Sequence, residues 1–385
     1  MKKSNIAYFC MSSFGHVDWG GLVETLQILK RRGHEVSVAS GPALKKYIQS
    51  FDLSFVDLGI KEISPVLEGE TIQQALDKHQ VENFFNFEDT KKAFYLAKKA
   101  YSKKGLDLIV SDCFFKPAQI MERYMDIPRI TIDPQIPPSL VPPEMIEAIS
   151  RASEPYRTKV KDFLQEHGIS SIDLNFIVPS DKLNISFSTH EFDGSLASPA
   201  RYVGASSLKE TDSFSMHLYY PKAKKVFYSS GTLFWSQKQI NTVLDLAERN
   251  QINLFVGGAR ILPKLKLPPN VRSFSFAKDS KIFPYMDAII SQGGAGTAIK
   301  AIRAGRPLIV IPLIFANYAM AEKVNQYRNG VGIMPQDFCY ATLEEALKKV
   351  LTNFSYSESA RCLQNSFEAI GGSEKAADLI ENFLK

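Results

Sequence analysis

At 385 residues and 45% hydrophobic content, the chain carries more apolar material than one core normally serves, so two domains are expected. Its 46 basic and 41 acidic side chains nearly balance, and the formal charge of +5 points neither to a dedicated nucleic-acid binder nor to an acid-loving surface. Cys10, Cys113, Cys339 and Cys362 lie far apart with no CxxC pair, which gives no sign of a zinc site or a disulfide framework and fits a reducing compartment.

The opening "MKKSNIAYFCMSS" has two lysines and an apolar stretch too short for a signal h-region, so it reads as a first β-strand. Helix "GGLVETLQILKRRG" and strand "HEVSVAS" follow, and later come "LDLIVSD", "IPRITID" and "LNISFS". Strand and helix in alternation imply βαβ units on a parallel sheet, an α/β fold. No window approaches the roughly 18 to 20 continuous apolar residues of a spanning helix, so a cytoplasmic protein is expected.

In such sheets functional groups gather past the carboxyl ends of strands. His16, in "SSFGHVDWGG", and Asp112, closing "LDLIVSD", both fall there. An imidazole steadied by a carboxylate keeps its other nitrogen free to take a proton, as a general base requires. The same residues fit a helix cap and a turn, and Asp18 and Asp133 are competing carboxylates.

Between these strands, "KKAFYLAKKAYSKK" places Lys91, Lys92, Lys98, Lys99, Lys103 and Lys104 on an amphipathic basic helix, with Phe94, Leu96, Ala97, Ala100 and Tyr101 opposite. A solvated outer face is the plain reading; docking of residues 91–104 on the inner face of an anionic membrane is the sharper one. The prolines of "DPQIPPSLVPPE", residues 133–144, predict an extended loop, either a connector or the wall of an acceptor pocket.

After "ARYVGASS" comes a polar stretch without clear periodicity, and alternation resumes at "KKVFYSSGTLFW". A second parallel sheet is predicted from "INLFVGG", "VRSFSFA", "DAIISQ" and "RPLIVIPLI". Within it, "SQGGAGTAIKAIRAGRP" runs from a strand through a glycine turn into a helix. Bare backbone N–H groups there approach an anion closely while the helix dipole favours negative charge, which suits a diphosphate. The pattern matches neither a Walker A loop nor a full G-x-G-x-x-G, and tight helix packing also demands glycines. "SSGT", Ser229 to Thr232, offers a second strand-end loop able to meet the same diphosphate.

At these residues the chain resembles the GT-B glycosyltransferases of family 1, a group that includes UDP-sugar, sterol and macrolide glycosyltransferases. "GHVDWGGLVETLQILKRRGHEVSVAS" is similar to the family's opening, "YSSGTLF" to its first C-domain strand, "PPNVRSFSFAKDSKIFPYMDAIISQGGAGT" to its donor-binding stretch and "GGSEKAADLIENFL" to its closing helix. The resemblance implies two Rossmann-like domains with parallel sheets facing an interdomain cleft. Residues 1–205 would form the acceptor domain, 206–222 a linker, 223–370 the nucleotide-sugar domain, and 371–385 a helix crossing back. It further implies an inverting reaction with no metal ion or other cofactor, with His16 as base and Asp112 steadying it. Thr232, Gln292, Gly293, Gly294, Gly296 and Thr297 would hold the diphosphate, with Phe276 and Ala277 at the nucleobase.

Three departures mark this chain. The family's histidine before the glycines is Gln292, its ribose-binding glutamate is Lys300, and its sugar-contacting Asp-Gln pair is Ala316 and Asn317. The expected partners are therefore a UDP- or dTDP-linked sugar, with deoxysugars favoured, and a small lipophilic or lipid-linked acceptor. A nucleotide-sugar epimerase on the same scaffold and a non-catalytic nucleotide-sugar-binding partner of a transferase are the alternatives.

Overall fold

A computed structural model describes residues 3–17, 20–63, 66–67, 83–132, 143–194, 199–210, 218–229, 231, 234–257, 267–274, 279–313 and 315–385. The chain divides into two compact units, Met1–Gly204 with Ile370–Lys385, and Ala205–Ala369.

Among the described residues the main sheet of the first unit has seven strands: β1 (Asn5–Phe9), β2 (Glu35–Ser40), β3 (Ser54–Asp57), β4 (Leu108–Asp112), β5 (Arg129–Ile132), β6 (Asn184–Ser186) and β7 (Ala200–Tyr202). Their order is β3-β2-β1-β4-β5-β6-β7, and every pairing is parallel. β1 lies centrally, with Ile6 opposite Val36 on one side and Leu108 on the other. Helices cover both faces of such a sheet, which is why Ile6 to Phe9 form a continuous apolar run with no exposure.

The helices used below are α1 (Leu22–Arg31), α2 (Phe87–Tyr101), α3 (Lys116–Met125) and α4 (Pro143–Glu166). α4 corrects the reading of residues 133–144 as loop throughout. Its helix begins at Pro143, because a proline in the first turn forfeits an N–H that would have no intrahelical partner anyway. Residues 133–142, Asp133 among them, lie outside the described residues, as does Asp18. α2 also begins before the predicted basic helix and ends short of it. It starts on the Asn86 side chain, which accepts from the Asp89 N–H, and ends at Tyr101, leaving Lys103 and Lys104 in the following turn. Thr90, Ala93, Phe94, Ala97 and Tyr101 are buried beneath it, and Lys91, Lys92 and Lys99 are exposed.

The second unit repeats the theme with β8 (Lys225–Ser229), β9 (Asn253–Gly257), β10 (Val271–Phe274), β11 (Ala288–Ser291), β12 (Leu308–Val310) and β13 (Gly330–Gly332). Their order is β10-β9-β8-β11-β12-β13, again parallel throughout. α5 (Gln237–Arg249), α6 (Ala295–Arg303), α7 (Phe315–Gln326), α8 (Tyr340–Thr352) and α9 (Phe354–Glu368) complete it. Its core gathers Val226, Tyr228, Leu254, Val256, Ile290 and Ile309 from the strands with Ile240, Val243 and Leu347 from the helices.

The chain ends in α10 (Gly372–Phe383), which belongs to the first unit. Ala376, Ala377 and Ile380 enter the same core as Ile6, Leu26 and Val38. Arg32, at the end of α1, binds Glu374 at 2.6 Å, Asp378 at 2.7 Å and Glu381 at 2.8 Å, and His34 Nε2 lies 3.1 Å from Glu381. Among the described residues no helix is long and apolar enough to cross a membrane.

Candidate active site

In each sheet the first strand of its unit has the second strand on one side and the fourth on the other. The connections leaving those neighbours diverge, and a crevice opens at their carboxyl ends. In the first unit these neighbours are β1 and β4. His16 follows β1 in a single helical turn, Phe14–Val17, whose Val17 is anchored in the core. The turn is held from below: Tyr8 Oη donates to His16 O, and His16 N donates to Ser13 O at 3.0 Å. Asp112 ends β4. Its two oxygens accept from the N–H groups of Met11 and Phe114, each at 2.9 Å, so the carboxylate is fixed from both strands.

His16 Nδ1 lies 3.4 Å from Asp112 Oδ2, and both side chains are buried. The nearby carboxylate favours the tautomer with its proton on Nδ1, which would leave Nε2 as the nitrogen that accepts one. The imidazole faces Phe114, with ring centroids 5.5 Å apart, and Phe84 at 6.0 Å; Phe176 stands 5.0 Å from Phe114. Cys10 sits close to Asp112, but burial, reinforced by that carboxylate, pushes its thiol well up, so it offers no thiolate to the crevice.

In the second unit the corresponding neighbours are β8 and β11, and the two loops read from the sequence meet there. Ser229 Oγ lies 3.4 Å from Thr297 Oγ1, and the Gln292 side chain packs on the bare backbone of Gly231. A Cβ on Gly231 would fall 2.6 Å from Gln292 Oε1, and its φ of +76° belongs to glycine. Gly293, at φ +84°, donates its N–H to Ser291 Oγ at 3.0 Å and turns the chain into α6. Gly294 is the N-cap of α6, and no side chain caps the helix. The N–H groups of its first turn therefore present the positive end of the dipole at an exposed, side-chain-free position.

Gly296 and Thr297 lie in that first turn, both half-buried, and Lys300 lies a turn further along, also half-buried. Asn317, in the first turn of α7, is buried, its backbone oxygen close to where a Cβ on Gly293 would stand. Asn317 Oδ1 has no hydrogen-bond partner among the described residues. Thr232, Phe276 and Ala277 lie outside the described residues.

Sequence reasoning missed the groups that hold the site. Tyr8 and Met11 look like ordinary strand residues; only Phe114, adjacent to Asp112, and the aromatic run "NFFNF" containing Phe84 offered a signal.

Two doubly wound parallel-sheet units, each with candidate groups at its switch point, make up the GT-B fold. Residues 254–380 match the family described as Erythromycin biosynthesis protein CIII-like, C-terminal domain. The chain is 22% identical over 402 residues to the NDP-glycosyltransferase YjiC of Bacillus subtilis (strain 168), covering 100% of this chain and 98% of that protein. Among solved structures, the glycotransferase of kitacinnamycin superposes with a TM-score of 0.78 at 20% identity, with 100% of each chain covered. The spinosyn rhamnosyltransferase SpnG, complexed with thymidine diphosphate, gives 0.73 at 16% identity, covering 99% of this chain and 100% of that one. The chain has the GT-B fold and is similar over its whole length to glycosyltransferases.

Proposed function

We propose that this glycosyltransferase moves a sugar from a nucleotide-diphosphate sugar to a hydroxyl of a small lipophilic or lipid-linked acceptor, with inversion and without a divalent metal. The observation that carries the reading is the buried contact between His16 Nδ1 and Asp112 Oδ2 at 3.4 Å. As the acceptor oxygen bonds to the anomeric carbon, His16 Nε2 takes its proton and Asp112 stabilises the imidazolium; the bond from that carbon to the diphosphate oxygen breaks on the opposite face. The second unit holds the diphosphate. Backbone N–H groups at the start of α6 supply the positive field that a metal ion would otherwise provide, and the Gln292 amide donates one further bond.

The donor we favour is a dTDP-linked or other deoxysugar. Lys300 stands where the family has a carboxylate that accepts from ribose hydroxyls, and an ammonium only donates. Ala316 removes the charged member of the family's sugar-contacting Asp-Gln pair, and Asn317 keeps an amide in place of its Gln, with Oδ1 unbonded among the described residues. SpnG, of the same fold, is named for rhamnose and complexed with thymidine diphosphate, which supports the same choice.

Two measurements test this. His16→Ala should lose on the order of a hundred- to ten-thousandfold in turnover with donor affinity intact; unchanged turnover removes His16 from the mechanism. Calorimetric titration should show dTDP binding at least as tightly as UDP. A clear preference for UDP that vanishes with the ribose 2′-hydroxyl refutes the donor assignment.

A further inference from the structure

Lys116 opens α3 directly after the turn that follows Asp112, and only 2% of it is exposed. Its Nζ donates to Phe176 O at 2.9 Å and to Phe114 O at 3.4 Å. Phe114 is the residue whose N–H holds Asp112 and whose ring faces His16. Val178 N donates to Cys113 O at 2.9 Å, so the ammonium and one backbone bond together tie the 176–178 segment to the 113–116 turn.

Stability alone argues against a cation here. A buried ammonium costs several kcal/mol in lost hydration, and at the first position of a helix its charge opposes the dipole. Methionine would fill the same space with neither cost. Local rules broken without structural gain mark places where function has its own demand.

We propose that Lys116 is a positioning residue, locking the Phe114 turn to the Phe176 segment so that Asp112 and His16 keep their mutual geometry. This rests on the assignment of His16 and Asp112 as the acid–base pair. The groups facing the ammonium are Cys113 and Asp112 in the β4 turn, Asp173 before the Phe176 segment, and Arg129 on β5. Lys116 is drawn down to about 8, chiefly by burial and slightly by Arg129, with Cys113, Asp112 and Asp173 opposing the shift. Its proton is thus shed in mildly alkaline solution, weakening both bonds.

The test compares wild type, Lys116→Met, Lys116→Gln and His16→Ala by thermal unfolding, by histidine-ring NMR, and by dTDP release from dTDP-glucose with water as acceptor. Lys116→Met and Lys116→Gln should stay folded while the His16 ring signals, assigned by their loss in His16→Ala, move from their wild-type positions. Release of dTDP should fall about ten- to a hundredfold at unchanged KM for dTDP-glucose, the range that a small misplacement of reacting groups produces. The decline in rate above pH ~8 in wild type should be missing from Lys116→Met. Unfolding of both Lys116 variants shows a merely structural lysine, and His16 signals superimposable on wild type in a folded variant equally overturn the proposal. If dTDP release is unchanged in His16→Ala, the acid–base assignment fails instead, and the ring signals still decide whether Lys116 positions His16.

Discussion

Replacing the glycines around the α6 turn one at a time separates what the fold needs from what a ligand needs. Gly294 has φ −60°, an ordinary value, and an added Cβ meets nothing within 4 Å. Alanine there gains about 0.4–1 kcal/mol from a stiffer unfolded chain and gives back a similar amount at the N-cap, so stability should barely change. Gly293 is the opposite case. A left-handed backbone costs a side chain about 1–2 kcal/mol, and its Cβ would lie 2.6 Å from Val310 Cγ1 in a fully buried strand, adding about 1–3 kcal/mol of overpacking. Gly231→Ala bears the same backbone cost, and the described atoms nearest its Cβ belong to the Gln292 amide, the far end of a flexible side chain. Thermal unfolding should therefore rank Gly294→Ala with wild type, Gly231→Ala about 1–2 kcal/mol below and Gly293→Ala about 2–5 kcal/mol below. Calorimetry with dTDP should show Gly294→Ala binding at least tenfold more weakly, a loss of about 1.4 kcal/mol or more, because its methyl occupies the space the phosphate oxygens would take. Wild-type affinity in a fully stable Gly294→Ala would place the diphosphate elsewhere, and a stable Gly293→Ala would show the turn geometry to be misread.

Transfer should continue in excess chelator; activity that vanishes and returns with magnesium or manganese would reveal a metal requirement. Vesicles rich in anionic lipid should retain the protein at low salt through Lys91, Lys92 and Lys99, with release as salt rises, and absence of retention would leave α2 as a solvated face. Lys116 sets a pH dependence of stability: between about 8 and the ordinary 10.5 the unfolded chain holds a proton that the folded one has shed, so stability rises with pH across that window. The gap amounts to about 3 kcal/mol, read as urea-unfolding free energy of wild type relative to Lys116→Met; a flat difference from pH 7 to 11 would contradict the buried charge.

Parallel sheets were legible because central strands buried on both faces must be short apolar runs, as in "AIIS" and "LIV" of β11 and β12. Two of the outer strands were not: Ser54–Asp57 and Gly330–Gly332 carry half-exposed faces and lack such runs. Positions of His16 and Asp112 at strand ends were readable, but their contact depends on β4 lying beside β1, and alternation of elements does not fix strand order. The anchoring of His16 by Tyr8 and of Asp112 by Met11 was invisible because both bonds use a backbone atom, which no side-chain pattern announces. Lys116 was unreadable for a related reason: a lysine at a helix start looks solvated until tertiary packing closes over it.

The membership of α10 in the first unit fixes an order of events during synthesis. The first unit emerges from the ribosome long before its own final helix, so the places of Ala376, Ala377 and Ile380 in its core stay unfilled while the whole of the second unit is made. Arg32 waits over the same interval for Glu374, Asp378 and Glu381. Domains generally fold as units in the order they are made, but here the first to be translated is the last to be completed. A nascent chain caught before residue 370 would expose an apolar strip along α1.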